Sequence, residues 1–461
     1  MSRAALLLLL AGAGCDPKGE AGAGAPSLRR LRLPGAAASG MGAAVSLPGD
    51  VDGDGQIDLM VGGWLGNRVC LVPGPFVEAA VGEAGPCAAG EGAYDYAGYS
   101  LATAGDADGD GTIDLLVGAI GYALPGANAG RAYLLPGGFS AGGLGDAARA
   151  TLSGEVANDY ASASLSAAGD LTGDGQPDYL IGAPGNDLGG AGGGRAYLLA
   201  GPLAAGDTPL ASAWATVSGV ALSPLPGPPH GEYGSGEAVG DAQVDAGDLD
   251  GDGLHDLVIG AYGVSEAGSN AGRVAVFLGP VAAGAFLLTD ADAALDGAEA
   301  EGFAGSPLLA AGDLDEDGHA ELFVAADGIG RVYRLSGPTL LGGGSLAEAE
   351  SSLSGASAGD RFGAALALGT WAGEPVLVVG APSDAAMGSE AGAAYLFGDL
   401  STPGDRSVRR AFHVEEGSGQ ADQLGLSVAA GLDLVAIGAP GADAGGAFAG
   451  EVLLLERDGA E

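Results

Sequence analysis

Asp50-Val51-Asp52-Gly53-Asp54-Gly55-Gln56-Ile57-Asp58 decides how this chain reads, because the pattern returns four more times, at residues 106–114, 170–178, 248–256 and 313–321. Each copy has oxygen-bearing side chains at positions 1, 3, 5 and 9 and glycine at position 6, namely Gly55, Gly111, Gly175, Gly253 and Gly318. In chain order the side chains are Asp50, Asp52, Asp54 and Asp58; Asp106, Asp108, Asp110 and Asp114; Asp170, Thr172, Asp174 and Asp178; Asp248, Asp250, Asp252 and Asp256; Asp313, Asp315, Asp317 and Glu321. Hard Ca²⁺ takes six to eight oxygen ligands gathered by a sharp turn, and this spacing supplies them. Thr172 in the third copy should weaken that site, and Glu321 in the fifth reaches further than aspartate.

The copies define a longer unit. A small or apolar residue followed by Gly or Ser precedes each loop, as in Met41-Gly42 and Ala97-Gly98. An apolar run and a small-residue turn follow it, as in Val61-Gly62-Gly63 and Ile181-Gly182-Ala183-Pro184. A further apolar strand comes next, as in Arg131-Ala-Tyr-Leu-Leu135, and then an outer segment such as Ala150-Thr-Leu-Ser-Gly154. Two more units, around Val379-Gly380-Ala381-Pro382 and Ile437-Gly438-Ala439-Pro440, lack the acidic loop, so no metal is expected there. Seven units of four short strands with Gly-rich turns predict an all-β, seven-bladed β-propeller of antiparallel sheets. The chain passes the third strand of unit seven near Leu455, while residues 27–33 form an orphan outer-type segment. That segment is expected to complete the last blade and close the ring; the alternative is a frayed linker. Gly and Ala at the turns suit sheets that taper toward an axis.

Composition agrees. The 461 residues carry a formal net charge of −42, part of it in nineteen loop carboxylates, and five bound Ca²⁺ would leave −32. Such a surface disfavours nucleic acid and anionic lipid. The 91 glycines show no Gly-X-Y period, and 47% hydrophobic residues argue against disorder.

Residues 1–14, with Arg3 before the apolar run 4–13, read as an export signal, the run being too short to span a bilayer. Cys15 after Gly14 resembles a bacterial lipoprotein cleavage site, with Cys15 lipidated and residues 15–26 as a flexible tether to a domain spanning 27–457; an ordinary secretory signal is the alternative. In an exported protein Cys70 and Cys87, on neighbouring strands of one unit, could pair or stay as buried thiols.

The stretch Gly-Asp-Ala-Asp-Gly-Asp-Gly-Thr-Ile-Asp-Leu-Leu-Val-Gly-Ala, residues 105–119, resembles the FG-GAP repeat of integrin α-subunits. The resemblance spans roughly 28–456. It implies a seven-bladed propeller with Ca²⁺ in the loop joining a blade's first two strands. It also implies a backbone carbonyl ligand at position 7, which falls on Gln56, Thr112, Gln176, Leu254 and His319. The aromatic of the Phe-Gly pair survives at Phe362; Tyr96, Tyr160 and Phe303 lie one residue early and are candidate substitutes. With no inserted domain, legs or membrane span, a stand-alone bacterial-type propeller is expected rather than a receptor. Helix–loop–helix Ca²⁺ modules need flanking amphipathic helices, whereas β-rich runs such as Ile57-Asp-Leu-Met-Val61 follow these loops.

No catalytic constellation is evident, so a non-enzymatic chain is expected. His230, His255, His319 and His413 show no metal-ligand spacing, and solvent exposure is the expected state of the two in the loops. Structural Ca²⁺, up to five ions, is the expected cofactor. The expected role is a cell-surface binding or adhesion module, or an envelope scaffold, with an unknown surface protein or glycan as partner. Membrane contact is expected only through a lipid anchor. A propeller-based extracellular hydrolase and a structural surface-layer component are the alternatives. The resemblance places partner binding opposite the Ca²⁺ loops, where the Pro-rich stretch 221–238 is either a contact surface or a tolerated insertion.

Overall fold

Apolar runs bounded by glycine set the strands, and sheet register assembles them. The computed structural model describes residues 28–220, 238–402 and 404–457. The expected export signal, Cys15, the expected tether and the stretch 221–237 lie outside the described residues.

Seven sheets form, each built on four antiparallel strands. In blade 1 these are Ala44–Gly49, Asp58–Gly63, Arg68–Val72 and Cys87–Ala89. Blade 5 has Leu308–Gly312, Glu321–Ala326, Arg331–Ser336 and Ser351–Ser354. Blade 7 takes Ser427–Ala430, Leu434–Ala439 and Glu451–Arg457 from the end of the chain, and its fourth strand is Leu28–Pro34. The first strands touch their neighbours in order, and that of blade 7 meets that of blade 1. The molecule is therefore a closed, seven-bladed all-β propeller, locked by antiparallel pairing of Leu28 with Arg457 through Pro34 with Glu451.

The core lies between blades. Second strands such as Asp58–Gly63 and Asp178–Ala183 are buried along their whole length. Each apolar layer joins two sheets: Met60, Val69 and Leu71 of blade 1 pack with Leu115, Val117 and Tyr133 of blade 2. Small turn residues permit the approach at the axis. A Cβ on Gly182 would fall 1.7 Å from the Gly240 carbonyl oxygen of the next blade, and one on Gly380 would fall 1.9 Å from that of Gly425.

One feature adds to the four-strand expectation. In blades 1 to 5 the outer edge gains a short parallel strand from the next blade, such as Gly206–Pro209 on Ala150–Ser153. Those extra strands come from the segment between the third and fourth strands. In blade 7 the third and fourth strands are the last and first described strands, and among the described residues the sheets of blades 6 and 7 have four strands each.

The early aromatics do not take over the place of Phe362, which is a correction. Phe362 is fully buried between sheets against Tyr395 and Phe397. Tyr96 and Phe303 are left-handed, at φ 55° and 52°, and lie against Trp64 and Tyr262. Tyr96 and Phe303 occupy the left-handed position that Arg361 takes beside Phe362, at φ 54°, and the residues that match Phe362 itself are the fully buried Ala97 and Ala304.

Cys70 and Cys87, opposite each other in the third and fourth strands of blade 1, form a disulfide. No helix among the described residues is long and apolar enough to cross a membrane.

Candidate metal centres

Each acidic loop joins the first and second strands of its blade, so all five lie at one end of the propeller. Glycine at position 6 is left-handed in every copy, with φ between +84° and +93°. Nothing crowds its Cβ position, so conformation is what selects glycine there.

The turn wraps its own amides around the first carboxylate. Asp50 Oδ1 accepts from the Gly53 and Asp54 amides at 2.7 and 3.0 Å, and Oδ2 accepts from Gly55 at 2.8 Å. Loops 2 and 4 repeat the arrangement at Asp106 and Asp248. Position 9 is buried in every loop; it is the first residue of the second strand in loops 1, 2, 3 and 5 and immediately precedes that strand in loop 4. Asp58 accepts from the Val51 amide at 2.9 Å and from the Gly74 amide at 3.0 Å, which ties the loop to the segment after the third strand.

Carboxylate oxygens consequently converge. In the triads Asp50/Asp52/Asp58, Asp106/Asp108/Asp114, Asp248/Asp250/Asp256 and Asp313/Asp315/Glu321, the closest set of oxygens lies within 4.8 Å of one another. Loop 3 forms no such triad among the described residues, because Thr172 replaces the middle acid. Its backbone also shifts: Asp178 Oδ2 accepts from Thr172 at position 3, at 2.8 Å, rather than from position 2.

Electrostatics favours a cation. Burial raises the carboxyl pKa of Asp58, Asp114, Asp178 and Asp256, and neighbouring loop carboxylates raise it further. Backbone amides pull the other way and do not prevail. A buried carboxylate facing two or three others is unfavourable when ionised, and a divalent ion removes that cost. The all-oxygen donor set, the left-handed glycine and the convergence all fit Ca²⁺. Bound there, it would supply charge neutralisation to the loops holding Asp50, Asp106, Asp170 and Asp248, and the hairpins would be fixed by it.

Two histidines do more than face solvent. His255 Nδ1 lies 2.7 Å from Asp245 Oδ2, which also accepts from the Gly169 amide at 2.6 Å, next to the first acid of loop 3. His319 Nδ1 lies 3.1 Å from the Leu249 carbonyl oxygen in loop 4. Adjacent loops are thus laced together, which spacing along the chain does not disclose.

Comparison with known proteins agrees with the repeat. FG-GAP repeat profiles match residues 162–199 and 242–277, and a second FG-GAP profile matches residues 349–397. No curated protein matches the chain. Among solved structures, the chain is similar to a candidate 6-phosphogluconolactonase from Bacteroides uniformis, at 9% identity and a TM-score of 0.43, over 87% of this chain and 89% of that one.

Proposed function

From a chain that carries FG-GAP repeats on a seven-bladed propeller, we propose a calcium-stabilised binding module of the cell surface or envelope, with no catalytic role. Calcium is structural in this reading. It clamps the hairpins of one face, and the opposite face meets a surface protein or a glycan.

The loops of the face opposite the acidic ones carry the proposal. Loops between second and third strands, and between blades, all emerge opposite the acidic loops. Large apolar side chains stand exposed on them: Leu65, Tyr94, Leu124, Leu188, Met387 and Phe448. They stand on loops of blades 1, 2, 3, 6 and 7 and offer a partner apolar contact around the ring. FG-GAP repeats are typical of extracellular or surface proteins, which suits this reading.

The entry point of the chain gives the module an orientation. Leu28 pairs with Arg457, whose guanidinium bonds Asp433 in the hairpin of blade 7 at the acidic-loop end. A tether running from lipidated Cys15 to Leu28 would hold the calcium face toward the membrane and present the apolar loops outward.

Arrays of glycans and surface proteins, probed with and without EDTA, test the function. Binding that depends on calcium and is lost in Tyr94→Ser/Leu124→Ser supports it. Binding that survives both changes overturns the assignment of the face. Labelled-lipid incorporation lost in Cys15→Ala tests the tether.

A further inference from the structure

Blade 5 departs from its six siblings at one buried position. The residue of the third strand opposite the middle of the second is Leu71, Leu134, Leu198, Val276, Leu396 or Leu454 in the other blades. In blade 5 it is Arg334, paired with Phe323 and only 6% exposed. An unpaired charge there would be costly, so its partners matter.

Those partners are the ligands of the fifth acidic loop. Arg334 Nη2 lies 2.6 Å from Asp315 Oδ2 at position 3 and 3.4 Å from Glu321 Oε2 at position 9. Nη1 donates to the Ser401 carbonyl oxygen at 3.3 Å, and this anchors the guanidinium from the next blade. The same loop is the one with glutamate at position 9. In loops 1, 2, 3 and 4 the glycine amide after the third strand donates to the position 9 aspartate, as Gly74 does to Asp58 and Gly279 to Asp256. In blade 5 the equivalent Gly337 amide goes to the Ala320 carbonyl oxygen instead, at 3.1 Å. Two substitutions unique to one blade, Arg334 and Glu321, therefore meet at one point.

We propose that the fifth loop carries its own cation: Arg334 neutralises the carboxylates that calcium neutralises elsewhere, and this loop does not take calcium. The proposal rests on the calcium reading of the other loops. A divalent ion bonded to Asp315 and Glu321 would lie beside a guanidinium already in contact with Asp315 Oδ2 and Glu321 Oε2, and the two cations repel, although Glu321 Oε1 has no hydrogen-bond partner. The guanidinium cannot dissociate and stays charged at any working pH. Blade 5 is thus held closed when the other loops lose their metal.

Calcium stoichiometry of the full chain, measured by titration calorimetry with Ca²⁺ alone, tests this in three variants. Asp106→Asn is expected to remove one bound ion, whereas Asp313→Asn is expected to leave the count unchanged. A loss of one ion in Asp313→Asn overturns the proposal. An unchanged count in Asp106→Asn instead overturns the calcium reading, so the two failures are distinct. Arg334→Leu, which restores the sibling residue, is expected to gain one ion and a larger calcium-induced rise in Tm than wild type. A folded Arg334→Leu protein with no added ion also overturns it, and if that variant does not fold, the Asp313→Asn count decides.

Discussion

Leu33, in the first described strand, stands opposite Val452 in the last, and both side chains are fully buried. The first and last described strands thus share one sheet, and this pairing closes the ring together with the contact between the first strands of blades 7 and 1. Leu33→Ala should cost about 2–5 kcal/mol, the range for a buried leucine. A urea midpoint measured with calcium present should fall accordingly. An unchanged midpoint would show that the ring does not need this strand.

Removing calcium should lower Tm, and the loss should depend on pH. The folded pKa values of Asp58, Asp114, Asp178, Asp256 and Glu321 are raised, with burial the main cause. A raised carboxyl pKa means that the folded state holds protons longer than the unfolded one. Stability is then complete below the ordinary carboxylate value of about 4 and is lost as pH rises through the raised values. Metal-free protein should therefore lose Tm as pH rises above about 4, and saturating calcium should abolish or reverse that slope. Parallel slopes with and without metal would count against occupied loops.

Gly182→Ala should destabilise strongly, because its Cβ would lie 1.7 Å from the Gly240 carbonyl oxygen and two blades would have to separate. Overpacking of this kind costs about 1–3 kcal/mol. Blade 5 already carries Ala325 at the equivalent turn, so Ala325→Gly should change stability far less. Equal effects in calorimetry would contradict the inward taper.

Cys70 and Cys87 are 17 residues apart, and their disulfide restrains a short loop in the unfolded chain. Cys70→Ser/Cys87→Ser should lower stability by about 3 kcal/mol in the chain-entropy account. Denaturant curves with and without reductant should show the same loss in wild type and none in the double variant.

Much of this was legible in the residues. Seven turns, five loops and an orphan outer strand at 27–33 predict the blade number and its closure, because strand period and turn chemistry are local. Less local features were not. The parallel edge strands, such as Gly206–Pro209, carry no signal of their own, being short and drawn from a neighbouring blade. Tyr96 and Phe303 could be aligned with Phe362 by type, but their left-handed backbone sends them elsewhere.

Amino-acid order by itself determined the acidic loops, since four oxygen-bearing side chains within nine residues are gathered by a single turn. Tertiary structure alone decided what else reaches them. Arg334 follows Asp315 by nineteen residues, and His255 faces Asp245 across a hairpin. Whether such groups touch depends on strand register and on which face each side chain takes, and those are fixed only when the blades pack.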